Sequence, residues 1–479
     1  MIASNPASPT YHNNQPTAGL ISYLPLVMVS ALVIGLCATL SYILYFNIPT
    51  LEKLYLWFIP RHFIDINFRY ILLALASLLV AMLVAISNSK TWVKLLLIFI
   101  AGVTIHYSFG ISKGSINYIK DRMVNTGHAS YVRLAASTPN ISDFLTNFES
   151  LAKNGALGDY APSKPPGTSL IYLFIDRLLS ATEEDAKTRA SRIIDFSTYT
   201  WPAISYLPVF LIFLFGKNLI GRQNAIIASL LYATTPAMSM INLHTDQAFY
   251  PLIGLLCGFT LFKSFSENRG SLAFLAGILF FLVSYLSFGM LPLVVVFFGA
   301  LVLYYKPSIS LKLISLFAIG FGLPLLALYL AFDYNFYTRY VHALAKHHNT
   351  KGWEGTWQVF RDANTTNVIE YYIWIGIPLA TCFIYGALSS LKFLKTNRLY
   401  FLLTISLLAS MALIIMLGKT KSETARLWMY LNPYVCIVAA MAINSLSRKK
   451  DILLKGFVIF IVLGQFFVDV LLLRYQDFY

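Results

Sequence analysis

The side chains that could do chemistry in this chain fall in four short stretches. In "KDRMVNTGHASYVRLA", residues 120–135, Asp121 is followed by His128 and Tyr131. A carboxylate there can take a proton from a hydroxyl or hold a metal, or it can be a solvated loop acid paired with Arg122. In "KPPG", residues 164–167, two prolines remove backbone donors and forbid helix on their N-terminal side, and Gly167 permits a sharp turn. The result is a rigid corner carrying Lys164. In "TPAMSMINLHTDQAFYPL", residues 235–252, His244 and Asp246 stand at a lip between two apolar runs. An ionisable residue wedged between membrane helices points to a functional site, and Thr245 or Asp246 equally suits a helix N-cap. In "GKTKSETARLWMYLNPYV", residues 418–435, Glu423 and Arg426 are three apart and would share a helix face. Arg426 can grip a phosphate bidentately, or snorkel beside Trp428 in an interfacial belt. Other groups carry weaker signals. Asp143 and Glu149 fit the polar face of surface helices, Asp159 fits a solvated loop, and His342, His347 and His348 lack a fixed carboxylate partner for a metal.

These stretches need elements to position them, and composition says which kind. Of 479 residues, 57% are hydrophobic and 12% charged, against about 25% charged in soluble domains. The chain is therefore expected to be an all-α polytopic membrane protein. Its net charge of +15 is assigned to basic loops beside a membrane rather than to nucleic acid. Cys37, Cys257, Cys382 and Cys436 all lie in apolar runs and behave as small hydrophobes, with no disulfide or zinc spacing. The N-terminal stretch lacks Lys and Arg, so the first apolar run is expected to stay as a span.

Runs of bridging length occur near 20–46, 68–87, 93–110, 194–215, 223–241, 249–265, 271–288, 289–305, 312–332, 369–388, 399–417, 427–446 and 453–472, about thirteen spans. Residues 168–180 are too short to cross and read as a helix lying in the interface. Lys and Arg are in excess in the connections that share a side with the N-terminus, which places the N-terminus inside and the C-terminus outside. Two long loops, 111–193 and 333–368, then face outward and carry nearly all the candidate chemistry. Three parts are expected: a tail with two additional spans (1–92), a core (93–446), and a last span with a short outer tail (447–479).

Taken in order, the acidic and aromatic first loop ("DRMVNTGHASYVRLA"), "KPPG" leading into an interfacial helix, "GRQNAIIASLLYATTP", the lip aspartate of "HTDQ", and "ETARLW" before "NP" resemble the GT-C class of polytopic glycosyltransferases. This class includes the lipid A aminoarabinose transferases and protein O-mannosyltransferases. The resemblance spans residues 93 to 435. It implies an inverting transfer of a hexosyl or pentosyl unit from a polyprenyl-phosphate donor to a lipid, glycan or protein acceptor, on the outer face of the plasma (inner) membrane. Asp121 would be the base and Asp246 the second acid. Lys164 and Arg426 would face the donor phosphate, and His128, Tyr131, His244 and Glu423 would line the substrate site. No cofactor is certain; a divalent metal, if used, would sit on Asp121 or Asp246. Relatives carry an acidic pair shortly before the loop tyrosine, where this chain has Gly127 and His128, which makes His128 a ligand or hydrogen-bond donor. The rival reading is a secondary transporter or lipid flippase, which would show internal repeats and mid-membrane charges. Neither stands out here.

Overall fold

The computed structural model describes residues 23–46, 63–125, 127, 129–158, 160–179, 185–240, 245–350, 355–418, 420, 423–448 and 450–475, and only the backbone at Arg122, Thr245, Asp246 and Gln247. The described residues form helices and turns, with no strand among them. Three long apolar helices come first: α1 (Leu24–Tyr45), α2 (Phe68–Ile86) and α3 (Thr91–Ser112). α2 and α3 pack as a hairpin. Its turn is tied by Lys94 Nζ, which donates to the carbonyls of Ala85 (3.0 Å) and Ser87 (2.6 Å) that end α2.

The first long loop is built of short helices: α4 (Ile116–Val124), α5 (Ala129–Ser137), α6 (Ile141–Thr146), α7 (Phe148–Lys153) and α8 (Gly167–Leu179). α9 (Ala186–Tyr206) and α10 (Pro208–Leu219) return into the bundle. α11 (Arg222–Ala233), α12 (Pro236–Met240), α13 (Thr245–Glu267), α14 (Gly270–Leu286), α15 (Leu293–Tyr304) and α16 (Pro307–Phe332) follow. α17 (Phe336–Thr350) lies in the second long loop, whose last residues, 357–368, already belong to the next helix. α18 (Trp357–Trp374), α19 (Ile377–Ser389), α20 (Arg398–Leu417), the single turn α21 (Thr424–Leu427), α22 (Asn432–Leu446) and α23 (Asp451–Tyr475) complete the chain.

Among the described residues nine helical stretches are long and apolar enough to cross a membrane, or ten if the bent pair α18–α19 counts as one. The fold class expected from composition is therefore found, but thirteen continuous spans are not. Residues 271–288 and 289–305 form shorter apolar helices. The run 223–241 is divided between α11 and α12, where Pro236 cannot continue the hydrogen-bond ladder.

The run 369–388 straddles a 110° bend between α18 and α19. Gly376 there has φ 91°, a conformation that costs other residues strain, and a Cβ on it would sit 2.0 Å from Gln465 Oε1. Gln465 on α23 satisfies the broken ladder. Its Nε2 donates to the Ile375 carbonyl at 2.8 Å, and its Oε1 accepts from the Leu379 amide at 3.3 Å. In lipid such backbone groups have no water to turn to, so the side chain substitutes for it.

One apolar core runs from Val29 to Leu473 and draws on helices at both ends of the chain. Exposed leucines and aromatics on α1, α2 and α16, such as Leu72, Leu311 and Leu330, form a lipid-facing belt. The first long loop packs a second core against α9, built on Met123, Tyr131, Phe144, Phe148 and Tyr172 of the loop and Trp201 of α9. That satellite core fixes the loop as a cap rather than a tether.

Candidate active site

The "KPPG" corner is fixed from both sides. Ala161–Ser163 makes a 3-10 turn, Lys164 is extended (φ −132°, ψ 165°), and the Pro166 carbonyl accepts from the Leu170 amide at 2.9 Å to open α8. Gly167 is not in the left-handed region. A Cβ on it would lie 2.1 Å from the Tyr285 carbonyl oxygen. The glycine is thus required for close approach of α8 to the end of α14, not for the sharp turn expected of it.

Arg339 of α17 reaches into the corner and is almost fully buried. Its Nη2 donates to the Pro162 carbonyl at 2.6 Å, Nη1 pairs with Glu149 Oε1 at 3.2 Å, and its guanidinium lies 5.5 Å from the Phe148 ring centroid. Burial pulls this guanidinium below its ordinary pKa, and Glu149 opposes the shift. Burial, with Tyr285 second, pushes the neighbouring Tyr334 hydroxyl well up. His342 Nδ1 bonds the other Glu149 oxygen at 2.8 Å. Glu149 is therefore no polar-face spectator: it joins the two long loops. Asp143 does remain exposed in the first turn of α6.

Two contacts join this corner to the other stretches. Lys164 Nζ lies 6.0 Å from the ring centroid of Tyr250, a buried residue of α13. Asp246 belongs to the first turn of α13, one turn before Tyr250. On the other side the Arg426 guanidinium lies 5.8 Å from the Tyr160 ring, just ahead of the corner. Tyr160 in turn packs against Gly127, where a Cβ would meet its ring at 1.9 Å.

The "ETARLW" stretch is held from α18. Glu423 has φ 64°. Its amide donates to Glu370 Oε2 at 3.1 Å, and the Ala425 amide donates to Glu370 Oε1 at 3.3 Å, so a fully buried carboxylate caps the turn α21. Thr424 Oγ1 donates to the Asn367 carbonyl at 3.1 Å, and Asn367 Nδ2 to the Thr420 carbonyl at 2.7 Å. Arg426 forms an ion pair with Glu423, and both are largely buried. Trp428 is 2% exposed and packs against Tyr371, ring centroids 5.3 Å apart. The alternative of Arg426 snorkelling in a tryptophan belt is therefore excluded by burial.

Tyr131 is buried and stacks on Tyr172 at 5.7 Å and 3°, a pairing worth roughly 0.5–1.5 kcal/mol beyond area burial. Asp121 is exposed on α4. Its neighbour Lys120 pairs with Asp195 at 2.5 Å, and that hydrogen bond raises the lysine pKa. No contact among the described side chains links Asp121 to Lys164 or Arg426. His128, Asp159 and His244 lie outside the described residues, as does the side chain of Asp246. Among the described residues no group of three His, Cys, Asp or Glu is placed to hold a metal ion.

The participants missed in the sequence are Glu370, Asn367 and Arg339. Glu370 was signalled by an acid inside an apolar run. Arg339 had no local signal.

No protein-family model matches the chain, and no curated protein does. Among solved structures it is similar to the Archaeoglobus fulgidus oligosaccharyltransferase in complex with Zn and sulfate, at 15% identity and TM-score 0.44 over 80% of this chain and 54% of that one. It is also similar to the apo form of that protein, at 13% identity and TM-score 0.43 over 81% of this chain and 57% of that one. The chain spans little more than half the length of these proteins.

Proposed function

We propose that this protein is a membrane glycosyltransferase of the GT-C kind, which transfers a sugar from a polyprenyl-phosphate donor on the outer membrane face. The observation that carries the reading is the convergence of three separate stretches at one end of the bundle. The "KPPG" corner meets α13 through Lys164 and Tyr250, and meets the α21 turn through Tyr160 and Arg426. Two cations beside apolar helices suit a phosphate whose isoprenoid tail remains in lipid.

In this reading Lys164 and Arg426 bind the donor phosphate and receive the charge that develops on it as the glycosidic bond breaks. Tyr160 and Tyr250 orient the two cations, and Glu423 holds the Arg426 guanidinium in place. An ionised carboxylate, acting as general base, takes the proton of the acceptor hydroxyl. Asp246 is assigned that role over Asp121, because it opens the helix whose Tyr250 lies beside Lys164, whereas Asp121 is exposed and joined to neither cation. Attack from the face opposite the phosphate inverts the anomeric centre. The described side chains do not assemble a ligand set for a divalent metal, and no step is assigned to one. Sugar, acceptor class and the plasma-membrane location follow the resemblance rather than the geometry.

The test is reconstitution of the full chain with labelled polyprenyl-phosphate sugars and a panel of lipid, glycan and peptide acceptors. Formation of a glycosylated product that requires Lys164 supports the reading. Movement of a labelled lipid across the bilayer without product would favour a flippase instead.

A further inference from the structure

We propose that the opposite end of the bundle carries a binding site for the phosphate headgroup of an anionic phospholipid. A cleft of about 820 Å³ lies there between the start of α3 and the end of α10. α3 separates it from the candidate active site. That helix is 22 residues long, roughly 33 Å at 1.5 Å per residue, and the first long loop follows its far end. The cleft and the corner therefore face opposite sides of the membrane.

The charged lining of the cleft is Lys90, Lys217 and Arg222, with no carboxylate among its lining residues. Among the described residues none of the three forms an ion pair with an acid. Three like charges gathered at one cleft repel one another, and an anion between them removes the repulsion. Two of them are held in place. Arg222 Nε donates to Thr91 Oγ1 at 2.7 Å, and Lys217 Nζ lies 5.9 Å from the Phe213 ring centroid.

The rest of the lining decides between a lipid and a free anion. Trp92, Phe210 and Leu214 make the wall apolar, Trp92 is 63% exposed, and the wall continues to exposed Leu96 farther along α3. An aqueous phosphate gains nothing from such a wall. Acyl chains would lie along it while the headgroup meets the cations, and a tryptophan at the lip suits the headgroup level. Basic pockets between membrane helices bind anionic headgroups by this combination of charge and apolar flank. The site is independent of the reaction proposed above.

Binding of a fluorescent phosphatidylglycerol to the purified full chain in detergent tests this. Unlabelled phosphatidylglycerol, phosphatidylcholine and inorganic phosphate serve as competitors. Phosphatidylglycerol should compete at least tenfold better than phosphatidylcholine, and millimolar phosphate should displace little of the probe. The triple variant Lys90→Gln, Lys217→Gln, Arg222→Gln should bind about a hundredfold more weakly, since each surface cation contributes about a fivefold factor. All three side chains are exposed; should the triple variant fold poorly, Lys217→Gln alone should show about the fivefold loss. Equal competition by the two lipids, or unchanged binding in the variants, overturns the proposal. Full displacement by inorganic phosphate also overturns it, by making the site one for a free anion.

Discussion

Replacing Arg339 with Met should loosen the joint between the two long loops and leave the membrane core intact. Met keeps the length and apolar stem of the side chain but removes its donors and its charge. The bond to the Pro162 carbonyl is buried and charge-assisted, a class whose loss costs about 1.5–3 kcal/mol. The pair with Glu149 adds less. That carboxylate is 33% exposed and keeps His342 at 2.8 Å, so its share is near that of a surface pair, below about 1 kcal/mol. Removing both partners of a buried pair can be neutral, but Met removes only one, and the Pro162 carbonyl and Glu149 Oε1 stay behind without their donor. The net expectation is about 2–3 kcal/mol of local destabilisation. Hydrogen exchange reads this locally. Amides of α17 and of the corner, such as Lys164 bonded to the Ala161 carbonyl, should exchange roughly 30–150-fold faster, at tenfold per 1.4 kcal/mol. Amides of the buried helix α22 should not change. A cycle with Glu149→Gln should reveal coupling above about 0.5 kcal/mol. Unchanged exchange in α17, or strict additivity with Glu149→Gln, would refute the clamp.

Gly167→Ala places a methyl 2.1 Å from the Tyr285 carbonyl oxygen, so the corner must shift by roughly 1 Å. Overpacking of this kind costs about 1–3 kcal/mol, and a displacement of that size can cost about a hundredfold in turnover. A Gly167→Ala protein that transfers sugar at the wild-type rate would remove the close-approach role. Asp246→Asn should lower turnover by about 10²–10⁴-fold with expression unchanged, and Asp121→Asn by less than about tenfold, both measured on the labelled donor; the reverse order would make Asp121 the base. Gln465→Leu should destabilise the α18–α19 break by about 1–3 kcal/mol per freed backbone group. Thiol labelling of buried Cys37, Cys257, Cys382 and Cys436 during a thermal ramp would show it, and an unshifted midpoint would mean that other groups satisfy the break.

Membrane spans were legible because a run of about 20 apolar residues has few alternatives to crossing lipid. The same composition hid their interruptions. In 369–388 the sequence "GIP" stands at the bend, but Gly376 and Pro378 barely lower the apolar content of a window that long. The corner at "KPPG" was legible as rigid, since proline chemistry is local. The purpose of its glycine was not, because the obstacle is a carbonyl on α14, distant in the chain. Glu149 shows the limit of periodicity: its spacing gave a polar helix face, and only a second loop folding over it makes that face an ion-pair site.

The residues that set the geometry of the lip are thus different from those that would do its chemistry. Lys164, Asp246 and Arg426 announce themselves by type, each at the edge of an apolar run. Arg339, Glu370 and Gly167 hold the corner and the α21 turn in place through partners that come from other helices. Glu370 illustrates why type alone misleads. A carboxylate inside an apolar helix suggests proton chemistry, yet here it receives two backbone amides of the turn carrying Arg426, which is the work of a helix cap. Each tie runs between separate elements: Arg339 links α17 to the corner, Glu370 links α18 to the turn, and the corner and the turn meet at Tyr160 and Arg426. A disturbance at one tie must therefore move a cation relative to the other rather than shift the site as a whole. If the two cations bind one phosphate as proposed, that kind of displacement is tolerated least, because the bonds to a phosphate depend on the spacing of both donors at once.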